Sequence, residues 1–286
     1  MRFIAHLSIW ALAQGGAGQG PPPGLNEPSP IEAADTVFTE EMTWMEVRDA
    51  IAAGKTTVIV GTGGLEQNGP HVATGKHNYV LRSTTEAIAR KLGNALVAPI
   101  VPFVPEGRID PPSGHMWYPG TISLEPATFQ ALLTDICSSL KQHGFRDIVL
   151  IGDSGGNLDG MEATAKALNA RWAGGPARVY HIREYYEQDI WSYDELKRMG
   201  IVQQPDVKSA SRAGVHTDFH YESIVALVDP ALIHAEQRMK AGSFEVYGVP
   251  LAPLEKTLEA ARHLVDYRAD IAVAAIRKAM AEASRH

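Results

Sequence analysis

Apolar residues recur along this chain in two rhythms, short β-branched runs alternating with longer segments spaced three and four apart. Met42 to Ala53 has the spacing of an amphipathic helix closed by Gly54, and Thr56-Thr57-Val58-Ile59-Val60 then reads as a strand buried on both faces. A glycine-rich turn and a long polar loop follow. Leu81 to Leu92 is helical by spacing and stopped by Gly93, and Ala95 to Val101 is a second strand that ends at Pro102. Pro126 opens a helix that runs to about His143 before Gly144, Asp147 to Ile151 is a third strand, Leu158 to Trp172 a helix, and Val179 to Ile182 a fourth strand. Residues 183 to 222 are rich in Tyr, Asp, Glu and His; Asp229-Pro230 introduces more helix, and Leu254 to Leu264 and Ile271 to Ala281 read as two alanine-rich helices.

This alternation predicts an α/β fold, a three-layer sandwich around a mostly parallel sheet, in which ligands sit at the C-terminal ends of the strands. No repeat, coiled coil or linker divides it, so residues 39–286 are expected to form one domain behind a leader-like or disordered tail of residues 1–38. Residues 102–124 hold five prolines and three glycines with almost no periodicity. A loop of that length inside a compact domain is usually functional.

Composition narrows the classes. The 286 residues with 45% hydrophobic content suffice for a full core. The formal charge of -7, with no basic block, argues against a nucleic-acid partner. The single cysteine, Cys137, sits inside an apolar pattern and reads as a core residue. Arg2, the apolar run Ile4 to Ala13 and the small residues before Pro21-Pro22-Pro23 follow the order of a secretory leader. Export to a periplasm or beyond is therefore expected, with a cytoplasmic protein bearing an ordinary tail as the alternative. The run is too short to span a bilayer.

Three polar groups carry candidate chemistry. The loop after the first strand contains Glu66, His71 and His77, an oxygen and two nitrogen donors suited to zinc or manganese. Gly152-Asp153-Ser154-Gly155-Gly156-Asn157 lies between a strand and a helix, where exposed N–H groups favour negative charge. It formally meets the nucleophile-elbow spacing, so Ser154 reads either as a nucleophile or as a helix cap. The third group, His216-Thr217-Asp218-Phe219-His220-Tyr221-Glu222, offers four imidazole or carboxylate groups, whether extended or helical, and allows a general base beside a ligand. His115, Trp117 and Tyr118 in the long loop are candidates to face the same pocket.

The motifs Glu66-Gln67-Asn68-Gly69-Pro70-His71, Gly75-Lys76-His77, Tyr118-Pro119-Gly120-Thr121, Gly152 to Asn157 and His216-Thr217-Asp218 agree in order and spacing with one family. Residues 57–232 resemble the creatininase (creatinine amidohydrolase) family, whose loops usually read Glu-Gln-His-Gly-Pro-His, Gly-Thr-Asp, Phe-Pro-Gly-Thr, Asn-Gly-His-Gly-Gly-Asn and His-Ala-Gly. The resemblance implies a creatininase-like α/β fold, hydrolysis of a C–N bond in a small-molecule amide or cyclic amide, paired Zn, Mn or Fe ions, and a homo-oligomer, often a hexamer.

Carried over by position, the ligand glutamate falls on Glu66 and the catalytic histidine on His216. A ligand histidine falls on Asn68, the metal-bridging aspartate on His77, the strand-end ligand histidine on Ser154, and a late acidic position on Tyr221. A neutral imidazole offers one lone pair, so His77 cannot bridge two ions as a carboxylate does. The expected site is therefore mononuclear: one divalent ion, Zn or Mn, on Glu66, His77 and a carboxylate from Asp153 or Asp218, with water as nucleophile and His216 as proton shuttle. His115, Trp117, Tyr118, Asn157 and His71 are expected to bind substrate. The competing mechanism is metal-free attack by Ser154 with His216 or His220 as base. A third reading is a non-catalytic small-molecule binder.

Overall fold

The structure, a computed structural model, describes residues 24–204 and 216–285, apart from the side chains of residues 188–191. The leader-like run Ile4 to Ala13 lies outside the described residues. Two compact units emerge, residues 1–32 and 33–286. In the first, the described residues make a turn in which Glu27 N donates to Gly24 O. The second carries the sheet and the polar cavity.

Its sheet has four parallel strands, β1 (Thr57–Thr62), β2 (Ala95–Val97), β3 (Asp147–Gly152) and β4 (Arg178–His181), in the order β2-β1-β3-β4. Side chains of a strand point alternately to the two faces, and here both faces are dry. Val58, Val60, Ile148 and Leu150 pack against α3 (Pro126–Gln142) and α4 (Leu158–Arg171), with α1 (Trp44–Ala52) at the edge of that cluster. Ile59, Val149 and Ile151 pack on the other side against α2 (Lys76–Leu92), Tyr185 of α5 (Glu184–Arg198), and Ala269, Ala272 and Ile276. Cys137 lies wholly inside the first of these layers, and burial pushes its thiol up to about 12, which makes it inert packing. The expected three-layer sandwich around a parallel sheet is therefore present.

Four boundaries differ from the sequence expectation. Helix α2 starts at Lys76 rather than Leu81, because Gly75 supplies the N-cap and the polar stretch Lys76-His77-Asn78 turns inward. Strand β2 stops at Val97: Ala98 N still donates to Ile59 O, but the register against β1 then slips by one residue, and pairing resumes where Val101 N donates to Gly61 O. The expected tail through Phe38 also ends early, since Val97 N donates to Val37 O and both Val37 and Phe38 are buried. Lastly, the two expected alanine-rich helices are a single helix, α8 (Leu254–Ala283), of 30 residues. No glycine or proline interrupts it. Between α5 and α8 lie α6 (Phe219–Val228) and the short α7 (Ala235–Lys240), and the first half of α8 packs with α6 in a further cluster around Ile224, Val225, Leu264 and Val265.

Helices α3 and α4 approach closely at Gly160, where an added Cβ would stand 2.6 Å from Phe129 Cδ1. Phe129 is fully buried and has no room to retreat. Gly160→Ala is therefore expected to cost about 1–3 kcal/mol by overpacking, although alanine favours helix. Urea unfolding measures it, and an unchanged midpoint would contradict this packing.

Candidate functional site

At the C-terminal ends of β1 and β3 a cavity of about 550 Å³ is lined by the loop after β1, the first turn of α2, the loop after β3, the long loop and the start of α6. Glu66, almost fully buried, is its centre. Its Oε1 lies 2.7 Å from His77 Nε2, 3.0 Å from His216 Nε2 and 3.5 Å from Lys76 Nζ, while Oε2 lies 3.2 Å from His115 Nε2. The Glu66, His77 and His216 donor atoms all fall within 4.8 Å of one another. One carboxylate oxygen and two imidazole nitrogens at that spacing suit a divalent ion.

Local sequence explains these placements. Asn68 does not face the cluster: its Nδ2 donates to Glu66 O and Ala73 O, at 3.0 and 2.9 Å, and folds the loop back on itself. The helical start at Lys76 puts His77 on the first turn of α2, a rigid mount. Gly64 leaves space for Glu106, since a Cβ there would lie 2.0 Å from Glu106 Oε1.

Behind His77 stands a second buried carboxylate. Asp153 Oδ2 lies 2.7 Å from His77 Nδ1, and Asp153 Oδ1 accepts from Arg268 Nη2 at 2.7 Å. Both ring nitrogens of His77 thus face carboxylate oxygens, which can only accept, so both carry protons here. Burial and Lys76 oppose that charge, but Glu66 and Asp153 outweigh them and raise His77 to about 9. Burial likewise opposes ionisation of Glu66, yet His77, His216 and Lys76 hold it well below the usual carboxylate range. Asp153 is also lowered: burial works against it and Arg268 and His77 prevail. Glu106 takes the opposite course. Burial, and then the charge and hydrogen bond of Glu66 beside it, push its carboxyl up to about 9, so it stays a neutral acid. Burial lowers His115, which keeps this imidazole neutral.

The structure gathers most of the residues marked in the sequence. Glu66, His77, His115, His216, Asp153, Ser154 and Asp218 line one cavity. Asp153, expected as a ligand, orients His77 and lies outside the three-donor cluster. Asp218 caps α6: Oδ1 accepts from Tyr221 N at 2.9 Å and Oδ2 from Tyr193 OH at 2.7 Å. Ser154 makes no cap hydrogen bond. Four expected substrate contacts lie apart from the cavity lining. Asn157 is fully buried and ties the loop after β3 to Thr62 O and Gly63 O, Trp117 and Tyr118 are exposed, and His71 borders a separate, smaller pocket with Arg238 and Tyr247.

Sequence reasoning passed over Lys76, Glu106 and Arg268. Lys76 sits inside a motif between Gly75 and His77, and Glu106 lies in the long loop between a proline and a glycine. Arg268 did carry a signal. It stands in helical phase with the buried Ala261, Leu264, Val265 and Ala272.

Known proteins share this architecture. A model of the creatininase family, described as creatinine amidohydrolase, matches residues 40–281. The chain belongs to the creatininase family. Creatinine amidohydrolase of Pseudomonas putida is 28% identical over 173 residues, which are 59% of this chain and 62% of that protein. The chain thus spans somewhat under two thirds of the length of this relative. The mycofactocin precursor peptide peptidase of Mycolicibacterium smegmatis is 28% identical over 116 residues, 39% of this chain and 44% of that one. Among solved structures, a creatinine amidohydrolase superposes with a TM-score of 0.57 at 24% identity, covering 87% of this chain and 98% of the other. A point mutant of creatininase described as Zn-Zn type matches equally well, with a TM-score of 0.57 and 24% identity over the same shares. Among the described residues no helix is long and apolar enough to cross a membrane.

His220 provides a pH test of this buried network. Burial, and then Arg268, lower it from 6.5 to about 4, so it is neutral in the fold while the unfolded chain takes up a proton below 6.5. Its contribution to stability is complete above pH 6.5 and is lost as pH falls towards 4, at up to about 1.4 kcal/mol per pH unit. Urea titrations from pH 7 to about 4 are expected to show a shallower acid loss in His220→Gln than in the parent chain. Parallel curves would contradict a neutral buried His220.

Proposed function

We propose that this creatininase-family chain is a metal-dependent amidohydrolase that cleaves the C–N bond of a small-molecule amide or cyclic amide. One observation carries the reading: Glu66, His77 and His216 converge within 4.8 Å at the floor of a cavity of small-molecule size. The residues fit one divalent ion, Zn or Mn, which would take the place of the proton on His77 Nε2 between that nitrogen and Glu66. Three protein donors is the number catalytic zinc sites take, and the Asp153 carboxylate on His77 Nδ1 is the support that metal-binding imidazoles usually have. Lys76 Nζ, 3.5 Å from Glu66 Oε1, opposes further positive charge and favours one ion over two. When bound, such an ion supplies Lewis-acid polarisation of a carbonyl and acidifies water.

The remaining chemistry belongs to the side chains. The neutral ring of His115, its centroid 4.7 Å from that of His216, is placed to take a proton from the attacking water. Glu106, held neutral at the cavity wall, is placed to protonate the departing nitrogen. Lys76 offers a fixed positive charge to the oxygen on which negative charge develops. Tyr186 and Tyr193 complete the lining.

Serine attack is not favoured. Among the described residues no hydrogen bond joins Ser154 Oγ to His216 or His220, and His220 Nε2 is occupied by Arg268 Nη1 at 3.0 Å. A base beside the nucleophile is what that mechanism requires.

We also read the leader-like start as an export signal and the working assembly as a homo-oligomer. Phe103, Ile109, Trp117, Tyr118 and Ile122, all exposed on the long loop, support an interface. Light scattering of the purified chain checks the assembly.

Elemental mass spectrometry is expected to find about one equivalent of Zn or Mn per chain. His77→Ala should lose the metal and at least about 100-fold in amide hydrolysis. Ser154→Ala should retain most turnover. Hydrolysis that persists after chelation and vanishes in Ser154→Ala would replace this reading with the serine mechanism.

A further inference from the structure

Arg268 is a full charge at 1% exposure, midway along a helix whose neighbouring buried positions are alanine, leucine and valine. A lone buried guanidinium would cost several kcal/mol, so its partners explain its presence. Its planar fork spends one arm on each of two segments. Nη2 donates to Asp153 Oδ1 at 2.7 Å, on the loop after β3, and Nη1 donates to His220 Nε2 at 3.0 Å, on α6. The ring of Tyr185 closes over the guanidinium at 4.6 Å.

Both arms lead to the cavity. With Oδ1 taken by Arg268, Asp153 can turn only Oδ2 to His77 Nδ1, at 2.7 Å, and this fixes the imidazole with Nε2 towards Glu66. On the other side, His220 belongs to the same turn as Asp218 and Tyr221, which form part of the cavity wall. Lysine could replace the charge but not the fork, because an ammonium is a point donor on a shorter stem.

We propose that Arg268, through Asp153, is the positioning residue that aims His77 into the site, so that the last helix sets the geometry of a centre whose donors come from elsewhere in the chain. The metal-binding part of this proposal rests on the function proposed above, and the test separates the two. Arg268→Lys keeps the buried charge pair and Asp153→Asn keeps the side-chain shape; because Asp153→Asn, alone or in the double variant, leaves a buried cation without its carboxylate, circular dichroism and the urea midpoint of each variant accompany the readouts.

The first readout needs no metal. In selectively ¹⁵N-histidine-labelled, metal-free protein, the His77 Nδ1–H held by Asp153 is expected to resonate far downfield and exchange slowly. In Arg268→Lys it should move upfield and exchange with water. The second readout is zinc affinity by competition with a chelating dye. Arg268→Lys and Asp153→Asn should each weaken zinc by about 10- to 100-fold, and the double variant should be no weaker than Asp153→Asn alone, because one residue acts through the other. A His77 signal unchanged in Arg268→Lys overturns the proposal, whether or not zinc binds. Additive losses in the double variant overturn it as well. A shifted His77 signal in a chain that binds no zinc sustains the positioning role and removes the metal reading instead.

Discussion

Everything around the cavity depends on burying two carboxylates, Glu66 and Asp153, with one imidazole between them. Neither acid can be ionised there without nearby positive charge, since removing an ion from water costs several kcal/mol. The chain meets that demand with His77 in the middle, Lys76 on the Glu66 side and Arg268 on the Asp153 side. The demand reaches well beyond the site. It bears on where α2 begins, because Lys76 and His77 point inward from its first turn, and it brings the middle of α8 to the loop after β3, where Arg268 meets Asp153.

The same constraint accounts for the departures from the family motifs. At His77, where the resemblance implies a bridging carboxylate, an imidazole changes the sign of the group at the centre, and the acids around it then need a different arrangement. Asn68 has become a brace for its own loop, and Ser154 lines the cavity without a base. Glu106, in the long loop ahead of its Tyr118-Pro119-Gly120-Thr121 motif, brings a carboxyl to the wall in its neutral form. The site is thus organised around fixed protein charges beside three donors that suit a divalent ion.

Much of the fold was legible because both sheet faces are apolar: a run such as Thr57 to Val60 or Asp147 to Ile151 suits little except a strand covered on both sides. Boundaries failed where local detail decides them, as at the one-residue slip between Val97 and Val101 or at Gly75, which caps α2. The loops holding Glu66, Asp153 and His216 were found through motifs and the regular alternation before them. Asn157 braces a loop and His71 borders a separate pocket, because a polar residue near a glycine turn serves a loop as readily as a ligand. Glu106 and Arg268 were out of reach of spacing alone, since what makes each of them matter is a partner far away in sequence; Arg268 meets Asp153 across 115 residues.

That separation gives the single helix α8 a consequence in time. A chain emerges from the ribosome from its N-terminus, and early segments begin to fold while later ones are still being made. Strands β1 to β4 can pair before α8 exists, and the face of the sheet that Ala269, Ala272 and Ile276 will cover stays bare meanwhile. Asp153 waits as well, a carboxylate without its guanidinium at the end of β3. Such a protein assembles its scaffold early and its chemistry last, so an interrupted chain is left with an apolar face to shield and a site that cannot yet act.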